Sequence, residues 1–289
     1  MNQNNQLTST FIVHQFRSRE VRDHINIFGK NGLPQILCLH GIGSTGEASF
    51  KHLAERLSGK YQLIAPDWIG CGQTTRLFEK QDTYSSDYCS EWLALFFNEA
   101  KRQGILRSPL NVLASSMSAL GIAKSYATIG KYFNKIFFIN PAGFDDYISK
   151  KFAFWLTNPL IPQHAMARLL LWNIIWKNIL HWPDELKPRL RAGLRNNEFD
   201  VLICYAKAGI YPWGRMMATN IIPHLFEKIK HPVTILHCEN DELFYKQKYV
   251  QIAKQSKGWQ IENIPGSGHN LMTDNSQAIA QRIDHILKA

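Results

Sequence analysis

The chain has no Cys-x-x-Cys pair, no Cys/His cluster, no long apolar run, no dense Lys/Arg tract, no internal repeat and no low-complexity segment. Each absence removes a class of protein. The five cysteines, Cys38, Cys71, Cys89, Cys204 and Cys238, are scattered and odd in number, which argues against a disulfide framework and against a zinc site. They read as buried or free thiols in a reducing compartment. The opening residues MNQNNQLTSTFIVHQF lack the basic start and roughly 7–15 residue apolar stretch of a signal peptide. No window offers the ~18 uninterrupted apolar residues of a membrane span. The expectation is a soluble cytoplasmic protein with no stable membrane insertion. A formal net charge of +10 raises the question of nucleic acid. Without a basic run interleaved with aromatics, and without a nucleic-acid motif, no nucleic-acid partner is expected.

What the chain does have is length and alternation. Its 289 residues can bury one large core plus an inserted segment. Short apolar or β-branched runs (FIVHQF, HINIF, QILCLH, QLIAPD, LNVLAS, KIFFIN) alternate with amphipathic stretches such as EASFKHLAERLS and the segment near Asp87 to Gln103. That order predicts a mostly parallel central sheet flanked by helices, an α/β fold. Residues 146–215 interrupt it with no convincing strand and with five of the eight tryptophans, Trp155, Trp172, Trp176, Trp182 and Trp213. This stretch reads as a helical insertion. Alternation resumes with VTILHC, KQKYVQIAKQSK, WQIENI and SQAIAQRIDHILK. The predicted organisation is therefore a first core part (1–145), the insertion (146–215) and a second core part (216–289).

The strand LNVLAS runs directly into a helical pattern from about Ser118, leaving serine at the bend. A turn that exposes a serine hydroxyl is so sharp that the residues two before and two after it must be small. Ser116 has Ala114 and Ser118 at those positions. Ser115 would have Leu113 and Met117, and Ser118 would have Ser116 and Leu120, so Ser116 is the candidate nucleophile. The usual pattern, Gly-x-Ser-x-Gly, is absent because both glycines are replaced. Taken alone, small residues in a tight strand-to-helix turn explain the segment equally well.

Other segments supply what such a serine needs. LCLHGIGSTG ends a predicted strand with His-Gly, and its backbone can face the serine turn. The N–H groups of Ile42 and Met117 are the candidate oxyanion donors, and the glycines allow close approach. An ordinary flexible turn is the bland alternative, and a P-loop is disfavoured because the Lys-Ser/Thr ending is missing. Asp241, just past the strand VTILHC, is the candidate acid by the Ser…Asp…His order, with Glu239, Asp145 and Asp146 as competitors. His269, in PGSGHNL after the last predicted strand, is the candidate base. The other ten histidines lie in strands, helices, the surface or the insertion, and His40 belongs to the candidate oxyanion loop, which it shapes.

Together, LCLHGIGSTG, APDWIGCGQT, LASSMSAL, LHCENDELF and PGSGHNL resemble, in order, the landmarks of the α/β-hydrolase superfamily across nearly the whole chain. The resemblance implies a serine hydrolase acting on a small-molecule carboxylic ester or acyl substrate. It also implies that the Asp67 to Gly72 turn is structural and that 146–215 is a cap over the site. The cap run ARLLLWNIIWKNILHW is apolar enough to roof an acyl pocket, although most of it serves equally as cap core. The cap carries ten Lys/Arg against five Asp/Glu, so its rim can attract an anionic substrate, an acyl carrier or an acidic surface, or simply be solvated. No cofactor or metal is implied, since a triad and backbone donors suffice for acyl transfer. The alternatives carried forward are carbon–carbon cleavage of a diketone-like substrate and a non-catalytic ligand binder. Dehalogenase and epoxide-hydrolase chemistry are disfavoured, because relatives performing them use aspartate where this chain has Ser116. Oligomeric state is not legible in the sequence.

Overall fold

Short apolar runs are what build the sheet, and the sheet is what places the site. In a computed structural model, residues 7–41, 44–77, 85–144, 222–241, 246–269 and 275–288 are described. The stretch 146–215, read from the sequence as an insertion, lies outside them. Eight strands form one sheet: β1 (Leu7–Phe16), β2 (Arg19–Phe28), β3 (Gln35–Leu39), β4 (Gln62–Pro66), β5 (Leu110–Ser115), β6 (Phe133–Ile139), β7 (Val233–Cys238) and β8 (Trp259–Ile264). Their order is β1-β2-β4-β3-β5-β6-β7-β8. From β4 to β8 all neighbours are parallel, whereas β1 pairs antiparallel with β2 and β2 with β4. All eight apolar runs read from the sequence are strands.

The described helices are α1 (Gly46–Leu57), α2 (Ser86–Arg102), α3 (Met117–Ile129), α4 (Ile222–Glu227), α5 (Lys246–Gln255) and α6 (Ser276–Lys288). Helix α1 starts where the Thr45 hydroxyl accepts the Ala48 N–H, and α2 starts where Ser85 accepts the Tyr88 N–H. Each cap satisfies one N–H that the first helical turn leaves without an intrahelical acceptor. Among the described residues, no helix is long and apolar enough to cross a membrane.

Because successive side chains of a strand point to opposite faces, each central strand feeds two cores. Val112, Ala114, Phe138 and Ile235 pack with Trp68, Trp92, Phe96 and Ile122 on the α2/α3 face. Leu113, Phe137, Ile139 and Leu236 pack with Phe50, Leu53, Ile279 and Ile283 on the α1/α6 face. Burial of each such large side chain contributes about 1.5–3 kcal/mol. The central strands are thereby held in register from both sides, and their carboxyl ends form one fixed edge. That edge is where open α/β sheets bind ligands.

Candidate active site

Ser116 is the residue at which the chain turns from β5 into α3. Its backbone has φ 52 and ψ −119, a left-handed conformation that a non-glycine residue adopts only when its surroundings enforce it. Three hydrogen bonds do so. The Ser116 N–H donates to the Ile139 carbonyl at 2.9 Å, and the Ser116 carbonyl accepts from Ala119 N–H at 3.1 Å and Ala142 N–H at 3.0 Å. The turn is also crowded, as its sequence requires: a Cβ added to Gly41 would come within 3.2 Å of the Ser116 Cβ. Ala114 and Ser118 are both wholly buried.

The structure explains why serine can stand at 118. The Ser118 hydroxyl donates to the His40 carbonyl, and the Trp68 indole N–H donates to both the Ser118 Oγ at 2.8 Å and the His40 carbonyl at 2.9 Å. A glycine there would forgo these bonds, which tie the serine helix to the loop facing it. His40 is fixed in turn. Its Nε2 accepts the Trp68 backbone N–H at 3.0 Å, so the ring proton sits on Nδ1 and donates to the Gly41 carbonyl at 2.7 Å. Complete burial holds the His40 pKa below the ordinary histidine value. His40 is therefore a neutral scaffold for the loop, in keeping with its place in the sequence.

Asp241 and His269 come from the loops after β7 and β8. His269 Nδ1 lies 3.1 Å from Asp241 Oδ2, and His269 Nε2 lies 3.1 Å from Ser116 Oγ. A carboxylate only accepts, so Nδ1 carries the proton and Nε2 presents its lone pair to the serine hydroxyl. The Asp241 side chain is fully shielded while the His269 ring keeps 20% of its exposure, and Ser116 is itself buried. The two loops are knitted together by Glu239 N–H to Ile264 O at 3.2 Å and Asn240 N–H to Ser267 O at 3.0 Å. Glu239, the competitor for the acid role, instead accepts the Gly266 N–H at 3.2 Å. Asp145 and Asp146, the other competitors, lie outside the described residues.

Of the two candidate oxyanion donors, Met117 opens helix α3, where helical geometry supplies no intrahelical acceptor for its N–H. Ile42 lies outside the described residues. The Asp67 turn is structural, as the resemblance implied. Asp67 Oδ1 accepts the Gly46 N–H at 2.7 Å, and Oδ2 lies 2.8 Å from His24 Nδ1 and accepts the Gln73 N–H at 3.1 Å. Burial acts to raise its pKa, but these donors and His40 outweigh it and leave the carboxyl below its ordinary value.

Asn140, the residue after β6, carried no signal in the sequence beyond being a polar end to an apolar strand. It is wholly buried with φ 41. Its backbone N–H donates to Leu236 O at 3.2 Å, its Oδ1 accepts the Cys238 N–H at 2.9 Å, and its Nδ2 donates to His269 O at 3.1 Å. The described cysteines, Cys38, Cys71, Cys89 and Cys238, are all buried thiols. Cys204 lies outside the described residues.

A mostly parallel sheet carrying serine, acid and histidine after β5, β7 and β8 at its carboxyl edge, in that chain order, is the α/β-hydrolase arrangement. The family model described as the alpha/beta hydrolase fold matches residues 34–276, and the chain belongs to that family. No curated protein matches the sequence. Among solved structures, the chain is similar to a serine hydrolase from the polyaromatic-hydrocarbon-degrading bacterium Cycloclasticus zankles, with TM-score 0.73, 14% identity, and 97% of this chain and 98% of that chain covered. It is similar to an esterase from Exiguobacterium antarcticum, with TM-score 0.72, 15% identity, and coverage of 93% and 96%. It is also similar to a 2-hydroxy-6-oxo-6-phenylhexa-2,4-dienoate hydrolase from Rhodococcus sp. strain RHA1, with TM-score 0.69, 16% identity, and coverage of 98% and 100%. At these identities the likeness is one of fold.

Proposed function

We propose that the protein is a serine hydrolase that cleaves a carboxylic ester of a small to medium, largely apolar acyl substrate through an acyl-enzyme. The observation that carries this reading is the pair of 3.1 Å contacts in series, Asp241 to His269 and His269 to Ser116. In the proposed reaction His269 Nε2 takes the Ser116 proton as Oγ attacks the ester carbonyl, and Asp241 steadies the imidazolium. The N–H groups of Met117 and Ile42 hold the oxyanion. The imidazolium protonates the leaving alcohol, and a water activated by His269 then releases the acid. Preorganised donors of this kind each supply about 3–4 kcal/mol of transition-state stabilisation. Residues 146–215 cover the site in this proposal, and their apolar run sets acyl preference.

A fluorophosphonate tests the nucleophile directly. Ser116 Oγ bonds to phosphorus, fluoride leaves, and peptide mapping by mass spectrometry locates the adduct. The expected result is a single adduct on Ser116, lost in Ser116→Ala. An adduct on Ser115 or Ser118, or none on the intact parent, would overturn the proposal.

A further inference from the structure

We infer that Asn140 is a positioning residue for the base, setting His269 against both Ser116 and Asp241; this rests on the serine-hydrolase reading above. The end of β6 at Ile139 and Asn140 is bonded to the serine turn, to β7 and to the loop that carries His269. Ile139 accepts the Ser116 N–H at 2.9 Å. The Asn140 N–H donates to Leu236 O at 3.2 Å, and its Oδ1 accepts the Cys238 N–H at 2.9 Å, both on the strand that leads to Asp241. Its Nδ2 donates to His269 O at 3.1 Å, with Gly268 O at 3.4 Å and the Cys238 Sγ at 2.7 Å also in reach. The amide orientation follows from its partners, because only the oxygen can face the Cys238 N–H and only the nitrogen can face the carbonyls.

A buried amide in a left-handed backbone is an expensive way to end a strand. Asparagine tolerates the φ of 41 better than most residues, but its side chain must then be fully satisfied to remain buried. It is, and two of the bonds go to the loop that carries the base. The main chain of His269 is thus tethered to the same strand end that holds the serine. The ring nitrogens of His269 face Asp241 and Ser116. A displacement of the order of 1 Å in such a constellation costs up to about 100-fold in rate.

The test uses two variants. Asn140→Gly keeps the left-handed backbone and removes the amide. Asn140→Asp keeps an acceptor for the Cys238 N–H but, as a carboxylate at a pH well above its own pKa, where the measurement is made, cannot donate to His269 O. The measurements are the limiting first-order rate constant of Ser116 phosphonylation at saturating fluorophosphonate, the probe concentration at half-saturation, and the downfield proton resonance of the His269 Nδ1–H. Thermal unfolding establishes that each variant is folded. The expected result is a limiting rate lowered about 10- to 100-fold in both variants, an almost unchanged half-saturating concentration, and a shifted or broadened Nδ1–H resonance. Folded Asn140→Asp that matches the parent in rate and resonance would overturn the inference, since a purely structural anchor on Cys238 would survive in it. A parent that leaves Ser116 unlabelled would overturn the serine-hydrolase reading itself, and the inference with it.

Discussion

The Ser118 hydroxyl donates to the carbonyl oxygen of His40, joining the helix behind Ser116 to the loop in front of it. The Trp68 indole N–H is shared between the same two groups at 2.8 and 2.9 Å. Ser118→Ala leaves Trp68 one acceptor instead of two and leaves the His40 carbonyl one donor short. The expected loss is about 1 kcal/mol of stability, read from urea unfolding midpoints at constant slope. An unchanged midpoint would mean that the serine is there for its size alone.

Gly72 is irreplaceable for a reason that can be measured. It has φ +52, and an added Cβ would lie 2.1 Å from the Asp67 Oδ2. Gly72→Ala therefore both strains the backbone and displaces the carboxylate that gathers Gly46, Gln73 and His24. The expected cost is about 2–4 kcal/mol, with the loss visible in thermal unfolding. A Gly72→Ala protein as stable as the parent would contradict the structural role of this turn.

His40 makes stability depend on pH. Its folded-state pKa is lowered by burial, so between that value and the unfolded value near 6.5 the unfolded chain binds a proton that the folded chain does not. Stability rises with pH where the unfolded state holds more protons, so this contribution is present above pH 6.5 and is lost as pH falls below it. His237 is shifted in the same direction by burial and Lys246, and His14 in the opposite direction. The His40 share is therefore read as a difference. His40→Gln can keep an acceptor for the Trp68 N–H without titrating, and its unfolding temperature should fall less than the parent's between pH 7.5 and 5. Equal falls would show that His40 is not kept neutral by the fold.

Two acidic residues two positions apart have separate expected phenotypes. Asp241 lies 3.1 Å from His269 Nδ1 with its side chain fully shielded, whereas Glu239 holds the Gly266 N–H. Asp241→Asn should lower turnover by about 10⁴-fold, because an amide can favour the wrong imidazole tautomer. Glu239→Gln should keep most of the turnover. The reverse ranking would move the acid role to Glu239.

Much of this was readable in the sequence, for identifiable reasons. The central strands β3 to β7 announced themselves because buried parallel strands are continuous apolar runs, whereas β1, β2 and β8 showed as short apolar or β-branched runs. Ser116 was separable from Ser115 and Ser118 because a tight turn demands small flanking residues, a rule about volume that survives the loss of both glycines. His269 and Asp241 followed from their positions after late strands. The β1–β2 hairpin did not show, because its two-residue turn is Arg17-Ser18, with φ 49 and 63, where the common sequence signal would be Asn-Gly. Asn140 did not show either. Its role depends on contacts with Cys238 and His269, about a hundred residues away in sequence, and local pattern carries no trace of them. The hydroxyl of Ser118 looked like a departure from the family pattern, and only the partners His40 and Trp68 give it a purpose.

The central claim is that Ser116 carries out ester cleavage, and hydrolysis of p-nitrophenyl esters from acetyl to long acyl chains by the parent and Ser116→Ala tests it most directly. The account expects the parent to turn over part of the series with an optimum in chain length, and Ser116→Ala to lose activity by up to about 10⁶-fold. Equal hydrolysis by the two proteins, at any chain length, would contradict it.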